Sequence, residues 1–199
     1  MPTSIGTATN VSAGKPNTSG AIYRAVRTND LVVPTTVGAA LSSAYKCLGY
    51  ISEDGFSNKM NTETADIKAW GGDTVLSMQT GRKDAFTFEL LEVLNDDVLK
   101  AVYCDSNVTA TAATTSAPKT ITVNVNGLEH TDDVWVIDVL MRGNNPKRIV
   151  IPYGKITELD EIVYKDDEAV GYKVTLTAAP DTSGNTHYEY MTVGSALST

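Results

Sequence analysis

The sequence predicts a mainly β protein, a β-sandwich or barrel with one short flanking helix. Three observations predict it. Apolar residues recur with a period of two, as in Phe86, Phe88 and Leu90, then Ile121, Val123 and Val125, then Tyr172, Val174 and Leu176. Turn-forming clusters separate these runs, among them Gly71-Gly72, Asn126-Gly127 and Gly143-Asn144-Asn145-Pro146. One segment alone, around residues 94–103, carries convincing helix signals, and no alternation of strand with helix calls for a parallel sheet. Counting runs gives roughly nine or ten strands, the spacing of a sandwich or barrel.

In chain order, residues 1–20 are rich in Thr, Ser, Asn, Gly and Ala and have no apolar period. They predict a flexible N-terminal arm; composition favours a frayed terminus over an arm that orders against a neighbouring subunit. The main domain is expected over 21–194, with 195–199 as a small polar tail. Residues 21–26 read as a first strand, 37–41 as a short helical turn and 45–51 as a second strand. The polar segment 52–65, interrupted by Phe56 and Met60, is either a long loop or a protruding hairpin. Residues 67–70 form a short run broken by Gly71-Gly72, and 74–80 alternate with Leu76 and Met78 on one face. Gly81-Arg82-Lys83-Asp84 reads as a turn before the Phe86, Phe88, Leu90 strand, whose end carries Leu91 and Val93 on the opposite face.

The helix has a mechanism for starting. Asn95 is a good N-cap, and Asp96 and Asp97 place negative charge at the positive end of the helix dipole. Val98 and Val102, and Leu99 and Tyr103, are four apart, and Leu94 with Leu99 fits a hydrophobic staple. About ten residues are marginal alone, so the stripe must pack on a sheet. Residues 105–119 are low in complexity and read as a loop or a weak edge strand. Asn126-Gly127 follows the next strand as a hairpin turn. Residues 134–141 are apolar on both faces except Asp138; 148–151 and 156–164 are separate strands; Lys165-Asp166-Asp167-Glu168 is an acidic hairpin turn into 169–178. After a turn at 180–185, residues 187–193 close the domain.

Composition narrows the function. The 199 residues are 42% hydrophobic, enough for a core, and carry a formal net charge of −8. There is no basic run interleaved with aromatics, and an acidic surface repels nucleic acid. No stretch approaches the ~18 apolar residues of a membrane anchor, and no signal peptide precedes the domain, so folding in a cytoplasm is expected. The N-x-S/T matches at Asn10, Asn17 and Asn107 are then chance. Cys47 and Cys104 are expected as free, buried thiols, and with His130 and His187 they lack zinc spacing.

No phosphate loop, dinucleotide fingerprint, nucleophile elbow or zincin motif occurs. His130, in Glu129-His130-Thr131-Asp132-Asp133, reads as a solvated turn residue, and His187 as a packing or interface residue. The acidic pairs sit in turns or at the helix start rather than flanking a cleft. No catalytic, cofactor-binding or metal-ligating residue is expected. Polar extensions on a sheet with edges to protect suit a self-assembling subunit instead.

Several blocks in order carry a resemblance. They are Leu48-Gly49-Tyr50-Ile51-Ser52-Glu53-Asp54-Gly55, Ala69-Trp70-Gly71-Gly72-Asp73-Thr74-Val75, Gly81-Arg82-Lys83-Asp84-Ala85-Phe86 with its continuation to Tyr103, and Ile151-Pro152-Tyr153-Gly154-Lys155-Ile156. Over residues 36–193 the chain resembles the major tail tube proteins of long-tailed bacteriophages (siphophages). The resemblance implies a β-sandwich-like barrel of the phage tail-tube type whose copies form hexameric rings that stack into a tube. It implies that Leu94, Asn95, Val98, Leu99, Val102 and Tyr103 belong to the flanking helix. It makes residues 52–70, with Ser52, Glu53, Asp54, Phe56, Met60 and Trp70, a long loop reaching an adjacent ring. Implied partners are further copies of the chain, a tape-measure protein and tail terminator or initiator proteins. DNA would pass through the lumen without specific binding, in a virion tail assembled in the host bacterial cytoplasm. One departure is Cys104, where Gly would follow the helix. Two other readings stand beside this one: a tube subunit of a related secretion or contractile injection system, and a receptor- or carbohydrate-binding β-sandwich using Trp70 or Trp135.

Overall fold

The computed structural model describes residues 8–17 and 20–194. Among them the chain forms eleven strands: β1 (Gly14–Pro16), β2 (Ile22–Ala25), β3 (Lys46–Cys47), β4 (Ile51–Lys68), β5 (Thr74–Leu90), β6 (Val108–Thr111), β7 (Thr120–Val123), β8 (Asp133–Met141), β9 (Asn145–Leu159), β10 (Tyr172–Ala178) and β11 (Tyr188–Met191). One α-helix, α1 (Asp96–Tyr103), lies between β5 and β6, and two short 3-10 helices form at Ala8–Asn10 and Asp105–Asn107. Nine strands make one sheet in the order β3-β2-β8-β9-β10-β5-β4, with β1 added to β8 and β11 to β9. All its pairings are antiparallel. The sequence-level expectation of a mainly β fold with one short helix holds.

The sheet curls until its two end strands are joined by the chain itself rather than by a hydrogen-bonded ladder. Its first and last strands, β3 and β4, are consecutive in the chain and separated only by residues 48–50. That linker is hydrogen-bonded on both sides: the Leu48 N–H donates to Ile22 O at 2.9 Å, and Tyr50 O accepts from the Leu91 N–H at 3.0 Å. Gly49 between them has φ of +74°, and a Cβ there would lie 1.9 Å from the Glu92 carboxyl carbon. The curl also brings Phe88 of β5 and Trp135 of β8 to 6.1 Å between ring centroids. On a flat sheet three strand spacings would hold them about 14 Å apart.

Alternation along each strand then decides what is inside. Trp135 and Ile137 of β8, Ile149 and Ile151 of β9, and Phe86 and Leu176 share one buried cluster. Tyr172, Val174 and Leu176 of β10 point inward, as their period predicts, while Lys173, Thr175 and Thr177 do not. The other face of β8, Val134 and Val136, is buried too, under Leu31, Val33 and Leu41. This explains the two-sided apolar pattern of 134–141. Its polar exception, Asp138, accepts hydrogen bonds from Arg148 at 2.6 and 2.8 Å. The same guanidinium donates to Ala39 O at 2.6 Å and so fastens the covering segment.

Helix α1 starts as expected, with the Asn95 side chain accepting from the Asp97 N–H at 3.0 Å. Val98, Leu99 and Val102 are buried against the barrel, and the Tyr103 ring stands edge-on to Tyr172 at 5.8 Å. Cys104 takes φ of +71°, so the backbone has the positive φ that suits glycine although the residue is cysteine. The staple does not form, because Leu94 is 80% exposed.

Other local expectations are corrected by long-range pairing. Residues 81–84 are continuous strand, held by pairing with 60–63, not a turn. Only a turn at residues 37 and 38 forms within 37–41, with no helix, and 45–51 contributes the two-residue β3 and the first residue of β4. Asn126-Gly127 makes no hairpin: β7 pairs back to β6, and the Asn126 amide is bonded to the Asn107 amide at 3.0 Å. The strands at 148–151 and 156–164 are one strand, β9, and its link to β10 is the whole of 160–171. Both cysteines are free, but Cys47 is exposed and Cys104 half-buried. Of the expected N-terminal arm, residues 14–16 pair with the edge of β8; residues 1–7, 18 and 19, like the tail 195–199, lie outside the described residues.

Trp135 fills the centre, 1% exposed, with its indole N–H donating to Gly154 O at 3.0 Å. Trp135→Ala is expected to lower unfolding free energy by about 3–5 kcal/mol in urea titrations, as a large buried cavity does.

Candidate assembly surface

β4 and β5 outgrow the barrel. β5 pairs with β10 only from Asp84 to Leu90. From Lys83 back to Thr74 its partner is β4 alone, from Asn61 to Lys68. The segment expected as a loop or protruding hairpin is therefore a two-stranded ribbon, about 30 Å long at ~3.3 Å per residue. Its tip closes through the Ala69 N–H to Asp73 O at 2.8 Å and the Gly72 N–H to Ala69 O at 3.0 Å. Gly71 and Gly72, at φ of +116° and +98°, make that turn possible.

Residues directly opposite in an antiparallel pair share a face. The register Ala65↔Met78 and Ile67↔Leu76 puts four apolar side chains on one face. The alternate pairs, Thr64↔Gln79 and Asp66↔Ser77, make the other face polar. The ribbon is thus amphipathic like a strand pair over a core, yet its own barrel leaves the apolar face open: Ile67, Leu76 and Met78 are 46%, 49% and 45% exposed. Trp70 at the tip is fully exposed.

The expected assembly residues do not form one cluster. Ser52, Glu53 and Asp54 occupy a break in register between Ile51 and Phe56 at the base of β4. Phe56 pairs with Phe88 and packs on the barrel core, Met60 sits opposite Asp84 where the ribbon leaves, and Trp70 is at the far end. The apolar face itself was missed as a unit. Its signal was present in the alternation of Leu76 and Met78 and in Gly71-Gly72 between two alternating runs. Of the helix residues, Val98, Leu99, Val102 and Tyr103 pack and Asn95 caps, whereas Leu94 faces solvent.

The two histidines have structural surroundings. His187 stands edge-on to Phe86 at 5.3 Å, in keeping with a packing residue. His130 is half-buried rather than solvated. It lies near a buried ion pair in which Arg24 Nε donates to Asp133 at 2.6 Å and the guanidinium also reaches Asp105. Burial first, and the Arg24 charge second, hold the His130 imidazole below its ordinary pKa. The unfolded chain therefore takes up this proton before the folded one does. Stability falls as pH drops from the ordinary histidine value of about 6.5 through the lower folded one. His130→Gln is expected to reduce this loss in urea unfolding between about pH 7 and pH 5. For the ribbon, Ile67→Ser with Leu76→Ser is expected to change barrel stability by no more than ~0.5 kcal/mol in the same assay, since neither side chain contributes to the core.

No curated protein matches the chain. Among solved structures, a chain of the virion of a native gene transfer agent particle aligns with a TM-score of 0.38 at 11% identity, covering 77% of this chain and 92% of its own. A chain of the tube-terminating cap of the anti-feeding prophage aligns with a TM-score of 0.39 at 11% identity, covering 82% and 97%. The match to a family is extensive: residues 8–194, from before β1 to beyond β11, match the phage tail tube proteins, and the chain belongs to the phage tail tube protein family.

Proposed function

We propose that the protein is a non-enzymatic structural subunit whose copies close into hexameric rings, that the rings stack into a tail tube, and that the phage genome travels through the lumen into the host. The observation that carries this reading is the ribbon with its open apolar face. A lone two-stranded hairpin is marginally stable in water. An apolar face of this kind, rimmed by polar residues, is a mark of an interaction surface. In a tube built from one repeated chain, the natural cover is a second copy. Ribbon against barrel is a heterologous contact, the kind that closes into rings or propagates as a filament.

On this reading Trp70 and the apolar face reach the adjacent ring. Ring closure also covers sheet edges that would otherwise be free to aggregate. The net charge of −8 suits a conduit, because an acidic surface repels DNA phosphates rather than holding them. Tape-measure and terminator or initiator proteins are the further partners, with assembly in the host cytoplasm and residence in the virion tail.

The test compares wild-type protein with a variant in which residues 63–81 are replaced by Asn-Gly, a two-residue turn between the paired Thr62 and Arg82. In a concentration series under negative-stain electron microscopy, the wild type is expected to give rings or hollow tubes. The variant is expected to give folded monomers that keep a cooperative unfolding transition and lose only the ribbon's share of the β-type circular dichroism. Normal tubes from the variant would remove the ribbon from the assembly mechanism.

A further inference from the structure

Asp84 lies where β5 changes partners. It is opposite Ala178 at the end of the β10 pairing and opposite Met60 on β4. Its carboxylate is completely buried, a place where an ionised group is costly unless it is paired and hydrogen-bonded. It is paired fully. Oδ1 accepts from Arg82 Nε at 3.0 Å, and Oδ2 accepts from the same guanidinium at 2.9 Å, a two-pronged geometry. Oδ2 also accepts from the Thr186 hydroxyl, and His187 Nδ1 is 3.5 Å away. Burial alone raises a carboxyl's pKa, but hydrogen bonds from Arg82 and Thr186, with the Arg82 charge, outweigh it and keep Asp84 below its ordinary value.

The partners come from parts of the molecule that diverge here. Arg82 belongs to the ribbon and its guanidinium also touches Met60 Sδ at 3.2 Å. Thr186 and His187 belong to the segment leading into β11, which pairs with β9. One carboxylate therefore ties ribbon, barrel strand and C-terminal segment together at the point of departure. Among the described residues no side-chain hydrogen bond or ion pair other than those of Arg82 joins the ribbon, residues 61–83, to the barrel. On an arm of about 30 Å, a swing of ~10° at the root moves the tip by about 5 Å.

We propose that Asp84 is the anchor that fixes the direction in which the ribbon leaves the barrel, making Asp84, Arg82 and Thr186 positioning residues for the ribbon's contact with a second copy. The contact with a second copy rests on the tube-subunit reading; the anchoring does not. Fixing the arm beforehand lowers the entropy lost on association.

The experiment is hydrogen exchange by mass spectrometry at micromolar concentration on the wild type, Asp84→Asn, Thr186→Val and Thr186→Ser, alongside the concentration at which each forms tubes. Losing a hydrogen bond to a buried charge is expected to speed exchange in 57–62 and 82–88 by about tenfold or more in Asp84→Asn and Thr186→Val. Thr186→Ser, which keeps the hydroxyl, should behave as wild type, and amides of β8 and β9 should stay protected in all four. Tubes should need more protein in Thr186→Val than in Thr186→Ser. Should Asp84→Asn fail to fold, the two Thr186 variants decide. Root exchange in Thr186→Val equal to wild type overturns the anchor, even where wild-type tubes form. Faster root exchange in a protein whose wild type never assembles upholds the anchor and overturns the tube reading.

Discussion

Closure of the sheet by three residues is the constraint from which the rest follows. Residues 48–50 must bond β2 on one side and the end of β5 on the other, and Gly49 must approach Glu92 more closely than any side chain allows. The Glu92 carboxylate in turn accepts from the Tyr50 N–H at 3.0 Å and the Asn95 side chain at 3.0 Å. The seam of the barrel and the start of α1 are therefore set by one side chain. Once the seam is closed, alternation sends Trp135 and Phe88 inward to meet each other, and β4 and β5 become neighbours whose only free direction is away from the barrel.

That geometry divides one pair of strands between two duties. Below Asp84, β5 is a barrel stave with Phe86, Phe88 and Leu90 in the core. Above it, the same strand carries Leu76 and Met78 on a face left half exposed by the described residues of its own barrel. The core meets the entropy of ordering the barrel; the ribbon has little burial of its own to offset that cost. A tube subunit needs such a division, because a surface that satisfied itself within one copy would have nothing left to offer the next.

What was legible in the sequence was local or periodic. Asn95 with Asp96 and Asp97 announced the helix start, and the even run of Tyr172, Val174 and Leu176 announced a half-buried strand. The run 134–141, apolar on both faces except at Asp138, announced a strand buried on both faces. What was not legible depended on pairing distant in the chain. Gly81-Arg82-Lys83-Asp84 has turn chemistry, but its cross-strand partners 60–63 keep it extended, with Thr80 as the extra residue where register shifts beside Gly81. Asn126-Gly127 has hairpin chemistry, but Asn107 claims the Asn126 side chain. The bond from Thr186 to Asp84 spans 102 residues, and no spacing rule anticipates it. The family resemblance supplied the assembly role that composition alone left open, while the register supplied the face.

On the tube-subunit reading, the ribbon's apolar face is the contact between copies. A cryo-electron microscopy map of the assembled protein tests it most directly. Hollow tubes are expected in which Ala65, Ile67, Leu76 and Met78 are covered by an adjacent subunit. Tubes in which that face points into solvent or into an empty lumen would contradict it.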